Sequence, residues 1–186
     1  MERFEEFKTT ILERAKKECA CKEQYSRALK SDTFEDLMSV IKDNFLWATE
    51  NKIIDPILIN EYKQEFNGNN IWCNENARNG FLLLTGNTTA EATGNTTVEA
   101  YGNTTVEAYD NATVRATGNT TVEAYGNTTV RAYDNTTVEA YGNAYIHSYY
   151  IIECKLKDNS IYRLISENKI FYPEESAIKI EKQTNP

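Results

Sequence analysis

The stretch Gly102-Asn-Thr-Thr-Val-Glu-Ala-Tyr109 is one copy of an eight-residue unit that recurs from residue 86 to residue 149. Within each unit a segment such as 105–109 alternates polar and apolar side chains. This alternation predicts a strand with Val and Ala on an inner face and Thr, Tyr and a charged residue on an outer face. The Gly-Asn pair tolerates positive φ and predicts a corner. Because one unit cannot bury its own apolar face, the pattern is typical of a solenoid.

The inner positions keep their character beyond the regular repeats. This predicts a solenoid over residues 86–181, with a C-terminal cap from about residue 150 and a tail at 182–186. The larger residues predicted to lie inside the cap are Cys154, Tyr162, Ile170 and Ile178 at the first inner site and Leu156, Leu164, Tyr172 and Ile180 at the second. Larger side chains are expected where a stack of open strand edges must be closed.

The number of units per turn decides which residues stack, and the sequence allows two answers. With three units per turn, Asp110 and Asp134 share a column, and outer charges alternate, as Glu91 and Arg115 do. With two units per turn, glutamates stack on one face and arginines with His147 on the other, so that like charges repel at about 4.8 Å. Charge pairing favours three sides with about 24 residues per turn, and we predict this arrangement. The alternative, two sides with 16 residues per turn, is favoured by packing, because Val, Ala and Thr fill a triangular lumen loosely.

Helical periodicity precedes the repeats and predicts a small helical head over residues 1–68. The predicted helices cover residues 2–18, 22–30, 34–48 and 56–66. Thr33, in the segment Ser31-Asp32-Thr33, is placed to cap the third helix, and Asp55 precedes a proline that suits the first position of the fourth. Such short helices form a marginal bundle alone, so we expect them to pack on the first turn of the solenoid.

Residues 69–85 are predicted to form a transition coil, because Ile71, Trp72 and Phe81 are too apolar for a free linker. Trp72 is expected to join the head to the solenoid. The predicted fold class is therefore α+β, a small N-terminal helical bundle followed by a β-solenoid (β-helix) of eight-residue strands and corners.

The Gly-Asn-x-Thr-Val-x-Ala-x unit over residues 86–149 resembles the octapeptide repeats of the puncturing needles of contractile phage tails and type VI secretion spikes. In those needles three chains wind into a triangular β-prism. The resemblance implies that eight residues can span one side of a three-sided coil. It implies no piercing role, because this sequence has Ala at the second inner site, Tyr outside and no tip domain. The combination of a helical head with Gly-Asn-Thr-Thr-Val-Glu-Ala-Tyr units is also similar to proteins of gut Bacteroidetes and their phages, and this similarity implies no particular activity.

Composition limits the partners and the location of the chain. The net charge is -8 at pH 7, and no basic cluster stands out, which disfavours direct binding of nucleic acid. The charged N-terminal segment and the lack of a membrane-length apolar run predict neither a signal peptide nor a transmembrane helix, so the expected location is the cytoplasm.

No pattern in the sequence predicts catalysis, a metal site or another cofactor. Cys19 and Cys21 lack a matching second pair, so we predict no zinc. The only histidine, His147, occupies an outer strand position and is expected to be an ordinary surface residue. Without a nucleophile, base and pocket motif, we predict that the chain is not an enzyme.

Rows of rigid tyrosines beside charged residues could form a binding surface, since Tyr and Arg are enriched at interface hot spots. The candidate partner-binding residues are Tyr101, Tyr109, Tyr125, Tyr133, Tyr141, Tyr149, Glu107, Arg115, Glu123, Arg131 and Glu139. The same ladders could instead only stabilise neighbouring strands.

The first functional hypothesis is a noncatalytic cytoplasmic module that binds a protein partner, with no contact to a membrane. The second is an inhibitor encoded by a phage or mobile element, acting as a nucleic-acid mimic or decoy of a host enzyme. The third is a self-associating structural shaft, which would make the chain a homo-oligomer.

Overall fold

The computed structural model describes residues 2–173 and consists of a helical head followed by a β-solenoid of about six turns. The predicted α+β class is confirmed. The helices are α1 Glu2–Lys17, α2 Lys22–Leu29, α3 Phe34–Asp43, α4 Phe45–Glu50, α5 Pro56–Glu61 and α6 Lys63–Gly68. The strands are β1 Ile71–Cys73, β2 Ala77–Leu84, β3 Thr89–Gly102, β4 Thr105–Ala108, β5 Thr113–Gly118, β6 Thr121–Ala124, β7 Thr129–Ala132, β8 Thr137–Ala140, β9 Tyr145–Ser148, β10 Glu153–Leu156, β11 Ile161–Leu164 and β12 Lys169–Phe171.

Thr33 and Asp55 cap the N-termini of α3 and α5, as the sequence indicates. The Thr33 hydroxyl oxygen accepts a hydrogen bond from the Asp36 N–H at 3.1 Å, and Asp55 Oδ1 accepts one from the Leu58 N–H at 2.8 Å. The third predicted helix is divided into α3 and α4 at Asn44. Here the Asn44 side chain donates to the Val40 carbonyl at 2.8 Å, a local bond that competes with helix continuation.

Each turn of the solenoid contains two units, so the preferred value of 24 residues per turn is wrong and the 16-residue alternative is confirmed. In one sheet Val106 lies beside Val122 and Val122 beside Val138, each in parallel register. In the opposite sheet Val114 lies beside Val130. The long strand β3 crosses a corner and pairs with β4 through its first half and with β5 through its second half. The two sheets therefore face each other across a flat lumen.

The lumen is filled as the alternation predicts, because valines such as Val122 and alanines such as Ala124 are fully buried. The residue that follows the asparagine of most corners forms a third inner position, exemplified by the buried Thr120 and Thr128. The Thr128 hydroxyl donates to the Tyr125 carbonyl at 2.6 Å, so this buried polar group is satisfied. Two thin sheets carrying small side chains thus pack closely, which explains why a two-sided coil suits Val, Ala and Thr.

The corners are held by side-chain ladders. Asn103 Nδ2 donates to Asn87 Oδ1 at 3.1 Å, and Asn119 Nδ2 donates to Asn103 Oδ1 at 3.0 Å. A second asparagine ladder follows the other corner. At one Asp corner, Asp110 Oδ2 accepts the Gly94 N–H of the neighbouring turn at 3.0 Å, and the other two Asp corners repeat this contact. The Asp residues therefore lie above glycines rather than above one another.

The parallel coil ends earlier than the sequence pattern indicates. Tyr162 and Leu164 are buried, as predicted. The prediction that Ile170 and Tyr172 lie inside is wrong, since they are 49% and 63% exposed. The reason is that β12 turns back and pairs antiparallel with β11 instead of continuing the coil. The predicted inner residues Ile178 and Ile180, the predicted end near residue 181 and the predicted tail at 182–186 lie outside the described residues.

Candidate functional site

The two-unit turn divides the candidate residues between two outer surfaces. The glutamate face is the outer surface of β4, β6 and β8 with the corner residues that follow them; it carries Glu107, Glu123, Glu139, Tyr109, Tyr125 and Tyr141. The arginine face is the outer surface of β5, β7, β9 and β11; it carries Arg115, Arg131, His147, Arg163, Tyr133 and Tyr149. The acidic and the basic candidate residues are thus on opposite sides of the solenoid.

The tyrosines of the glutamate face form a regular stack. The rings of Tyr109 and Tyr125 lie 4.9 Å apart with an interplanar angle of 8°, and those of Tyr125 and Tyr141 lie 4.7 Å apart at 10°. Each hydroxyl donates to the glutamate two residues earlier in its own strand, at distances of 2.6 to 2.9 Å. Each tyrosine therefore fixes the position of one carboxylate.

The glutamate face concentrates negative charge. Its carboxylates lie on neighbouring strands, which are spaced by about 4.8 Å. Glu139 pairs with Lys155 at 3.3 Å, whereas Glu107 and Glu123 form no ion pair within residues 2–173. The pKa of Glu139 is lowered, first by the Tyr141 hydroxyl and then by Lys155. These carboxylates are therefore ordered, partly exposed and mostly unpaired.

The N-terminal end of the arginine face, at Arg115, is covered by the helical head. Arg115 bridges Glu50 of α4 and Glu99 of β3, with 3.3 Å between Arg115 Nη1 and Glu99 Oε2. The Tyr101 hydroxyl donates to Glu99 Oε2 at 2.8 Å, and Tyr101 packs against the apolar core of the head. Glu99 is fully buried, and burial raises its pKa to about 7 against the opposing effects of Tyr101 and Arg115. Tyr101 and Arg115 are thus parts of the contact between head and solenoid.

The open part of the arginine face carries a column of basic residues. The Arg131 guanidinium lies over the Tyr133 ring, 5.2 Å from its centroid. His147 is half-buried between Arg131 and Arg163, and its pKa is lowered first by burial and then by these two cations. Tyr149 is exposed and packs edge-on against its neighbour Tyr150 at 5.0 Å. The tyrosines of this face therefore do not form a stack like that of the glutamate face.

An open groove of about 470 Å³ is lined by residues of both α4 and the arginine face. Leu46 and Glu50 line it on the helical side, and Arg131, His147 and the buried Glu99 line it on the solenoid side. Sequence reasoning missed Glu50 and the special position of Glu99. The octad phase shows that Glu99 points outward, but nothing in the repeat indicates that a helix covers it.

Trp72 lies against the apolar core of the solenoid, at the start of the coil. That it joins the head to the solenoid stays a prediction. Within residues 2–173, no three of the His, Cys, Asp and Glu side chains are grouped closely enough to hold a metal ion. The described helices include none that is both long and apolar enough to cross a membrane.

No family model, no curated protein and no solved structure matches this chain. The resemblances to phage-tail and type VI needle repeats and to proteins of gut Bacteroidetes and their phages therefore stay predictions. The β-solenoid itself stands on the strand register described above.

Proposed function

We propose that the chain is a noncatalytic binding module whose glutamate face docks a basic segment of a protein partner. The observation that carries this proposal is the column of ordered, mostly unpaired carboxylates beside a continuous tyrosine stack. Like charges on adjacent strands repel, and a cationic partner relieves that repulsion. The stacked tyrosines supply rigid apolar area, which is what interface hot spots require.

The spacing of the carboxylates favours a basic α-helix as the partner segment. The carboxylates from Glu107 to Glu139 follow the strand spacing of about 4.8 Å. A helix lying along this column places a side chain on the same face about once per turn, or about every 5.4 Å. Over the two steps between the first and the last of the three glutamates, the two spacings diverge by only about 1.2 Å. The long flexible side chains of Lys and Arg can absorb a difference of this size.

The proposal is tested with a synthetic alanine-rich helical peptide that carries four arginines on one face, at spacings of four, three and four residues. Its dissociation constant is measured by calorimetry at low and at moderate salt. The triple variant Glu107→Gln, Glu123→Gln and Glu139→Gln is expected to weaken binding at least tenfold. The matched control is the double variant Arg131→Gln and Arg163→Gln on the opposite face, which should bind the peptide at least as tightly as the parent.

A second peptide carries the same four arginines distributed around the helix. It should bind more weakly than the one-faced peptide, because only one of its cations can reach the glutamate face at a time. Equal affinity of both peptides, or unchanged affinity of the triple variant, would overturn the proposal. Circular dichroism of each variant checks that the solenoid is intact.

A further inference from the structure

The helical head contains a cavity of about 290 Å³ between α1, α2, α3 and α4, away from both outer faces of the solenoid. Its walls are mainly apolar and include Ile11, Val40, Ile41 and Ile53, with Trp47 on one side. A concave, mostly apolar pocket with a few polar groups is the usual form of a small-molecule site. The cavity of the head has this form.

The volume sets the size of that ligand. An apolar protein cavity of about 150 Å³ holds one benzene molecule. The cavity in the head is about twice as large, so it accommodates a fused two-ring aromatic molecule. The aromatic side chains of Trp47 and Tyr25 in the wall can pack against such rings.

Two amide side chains in the wall give the site its polarity. Asn44 Nδ2 donates to Gln24 Oε1 at 3.2 Å and to the Val40 carbonyl at 2.8 Å, and Gln24 Oε1 also accepts from Arg27 Nη1 at 2.8 Å. These bonds leave the donor Gln24 Nε2 and the acceptor Asn44 Oδ1 without a protein partner among residues 2–173. Because Asn44 Nδ2 is bonded to Gln24 Oε1, the remaining donor and the remaining acceptor belong to two adjacent, half-buried amide groups of the wall.

This pair matches a primary carboxamide. The carbonyl oxygen of a carboxamide accepts from Gln24 Nε2, and its N–H donates to Asn44 Oδ1. A carboxylate has no donor and places two acceptors against the Asn44 oxygen, so it fits less well. A carboxylate would leave the Asn44 oxygen without a donor, and the wall should therefore favour the carboxamide.

We propose that the cavity of the helical head binds a small two-ring aromatic molecule that carries one carboxamide. The inference is independent of the glutamate face, because no residue of the cavity wall belongs to the solenoid. The head then has a recognition role of its own beside the solenoid that it covers.

The probe for this proposal is 2-naphthamide, with 2-naphthoate as the matched control. Calorimetry on the full chain should show saturable binding of the amide and binding of the carboxylate at least tenfold weaker. Nuclear Overhauser contacts from the naphthalene protons should reach the methyl groups of Ile11, Ile41 and Ile53. Absence of saturable amide binding, or contacts that lie elsewhere on the chain, would overturn the proposal.

Two variants then test the two features of the wall. Gln24→Met keeps the side-chain length and removes the donor, so it should weaken amide binding about five- to tenfold and reduce the preference for the amide over the carboxylate. Ala28→Leu fills the space behind the buried Ala28 and should abolish binding of both probes. Retained binding in a folded Ala28→Leu chain would show that the probe is held outside the cavity. If Ala28→Leu does not fold, the contacts measured on the parent chain decide the matter.

Discussion

The buried Glu99 makes the stability of the chain depend on pH in a direction that can be calculated. Burial raises its pKa from 4.5 to about 7 in the folded state, whereas the unfolded chain keeps the ordinary value. Between these two values the folded chain holds a proton that the unfolded chain releases. The free energy of unfolding therefore falls as the pH rises from 4.5 to about 7, and the contribution of Glu99 is constant above that.

The size of the effect follows from the pKa shift. One pKa unit corresponds to about 1.4 kcal/mol, so the contribution of Glu99 changes by about 3 kcal/mol across this window. In Glu99→Gln the change is absent, while the amide oxygen can still accept from Tyr101 and Arg115. A chain of this length shifts its melting temperature by about 2–4 °C for each kcal/mol. Relative to the parent, the variant should therefore gain about 6–12 °C between pH 4 and pH 8.

The assay is thermal unfolding followed by circular dichroism for the parent and Glu99→Gln at pH 4, 5, 6, 7 and 8. The quantity of interest is the difference between the two proteins at each pH, because groups such as His147 and Glu139 titrate in both and cancel. Any constant penalty of the substitution also cancels. A difference that does not change with pH would refute the reasoning, since it would mean that Glu99 has the same pKa in the folded and the unfolded chain.

Three further outcomes are expected. Val122→Ala should lower the free energy of unfolding by about 2 kcal/mol in urea titrations, because it removes apolar volume from a fully buried site in the lumen; a loss below about 0.5 kcal/mol would contradict the close packing. Gly118→Ala should lower the free energy of unfolding by about 1–2 kcal/mol, because Gly118 has φ of +85°. Gly118→Asp should cost less, since Asp134 adopts φ of 55° at the same corner one turn on. Equal losses of stability in the two variants would refute this. Finally, the pKa of Tyr125 is raised first by its bond to Glu123, so Glu123→Gln should lower it in a carbon-13 NMR titration of the ring, and an unchanged titration would show that the bond does not persist in solution.

Much of the solenoid could be predicted because the residues of each octad determine its own strand and corner. Strand alternation placed residues such as Val122 and Ala124 inside, and the Gly-Asn corner placed the turns. The N-caps Thr33 and Asp55 could also be predicted, since capping depends on residues three positions apart. These features are local, and one sequence is enough to reveal them.

The number of units per turn could not be read in the same way, because it depends on contacts between turns. The spacing of Asp110 and Asp134 suggested a shared column, yet each Asp instead bonds the glycine N–H of the adjacent turn. Repulsion within the glutamate and arginine columns also counted against the 16-residue turn. In the structure the tyrosine hydroxyls, such as that of Tyr125, hold each carboxylate of the glutamate face in place.

The sequence could not show how the candidate residues are divided between the two faces and the contact with the head. Tyr101 and Arg115 have the same octad phase as the exposed candidates, and only the docking of α4 separates them from the rest. The reversal of the chain into β12, which exposes Ile170, is likewise invisible in a pattern of apolar spacing. Both depend on the elements at the ends of the repeat, where neighbouring units no longer dictate the path.

The two-octad turn has a consequence for how such a chain can change length. Gain of a pair of octads lengthens the solenoid by about 4.8 Å, and loss of a pair shortens it by the same amount. Either change leaves the glutamate face and the arginine face chemically as they were. Gain or loss of a single octad exchanges acidic for basic surface in everything that follows. The length of such a solenoid can therefore change in steps of one turn without changing its two faces, provided that octads are gained or lost in pairs.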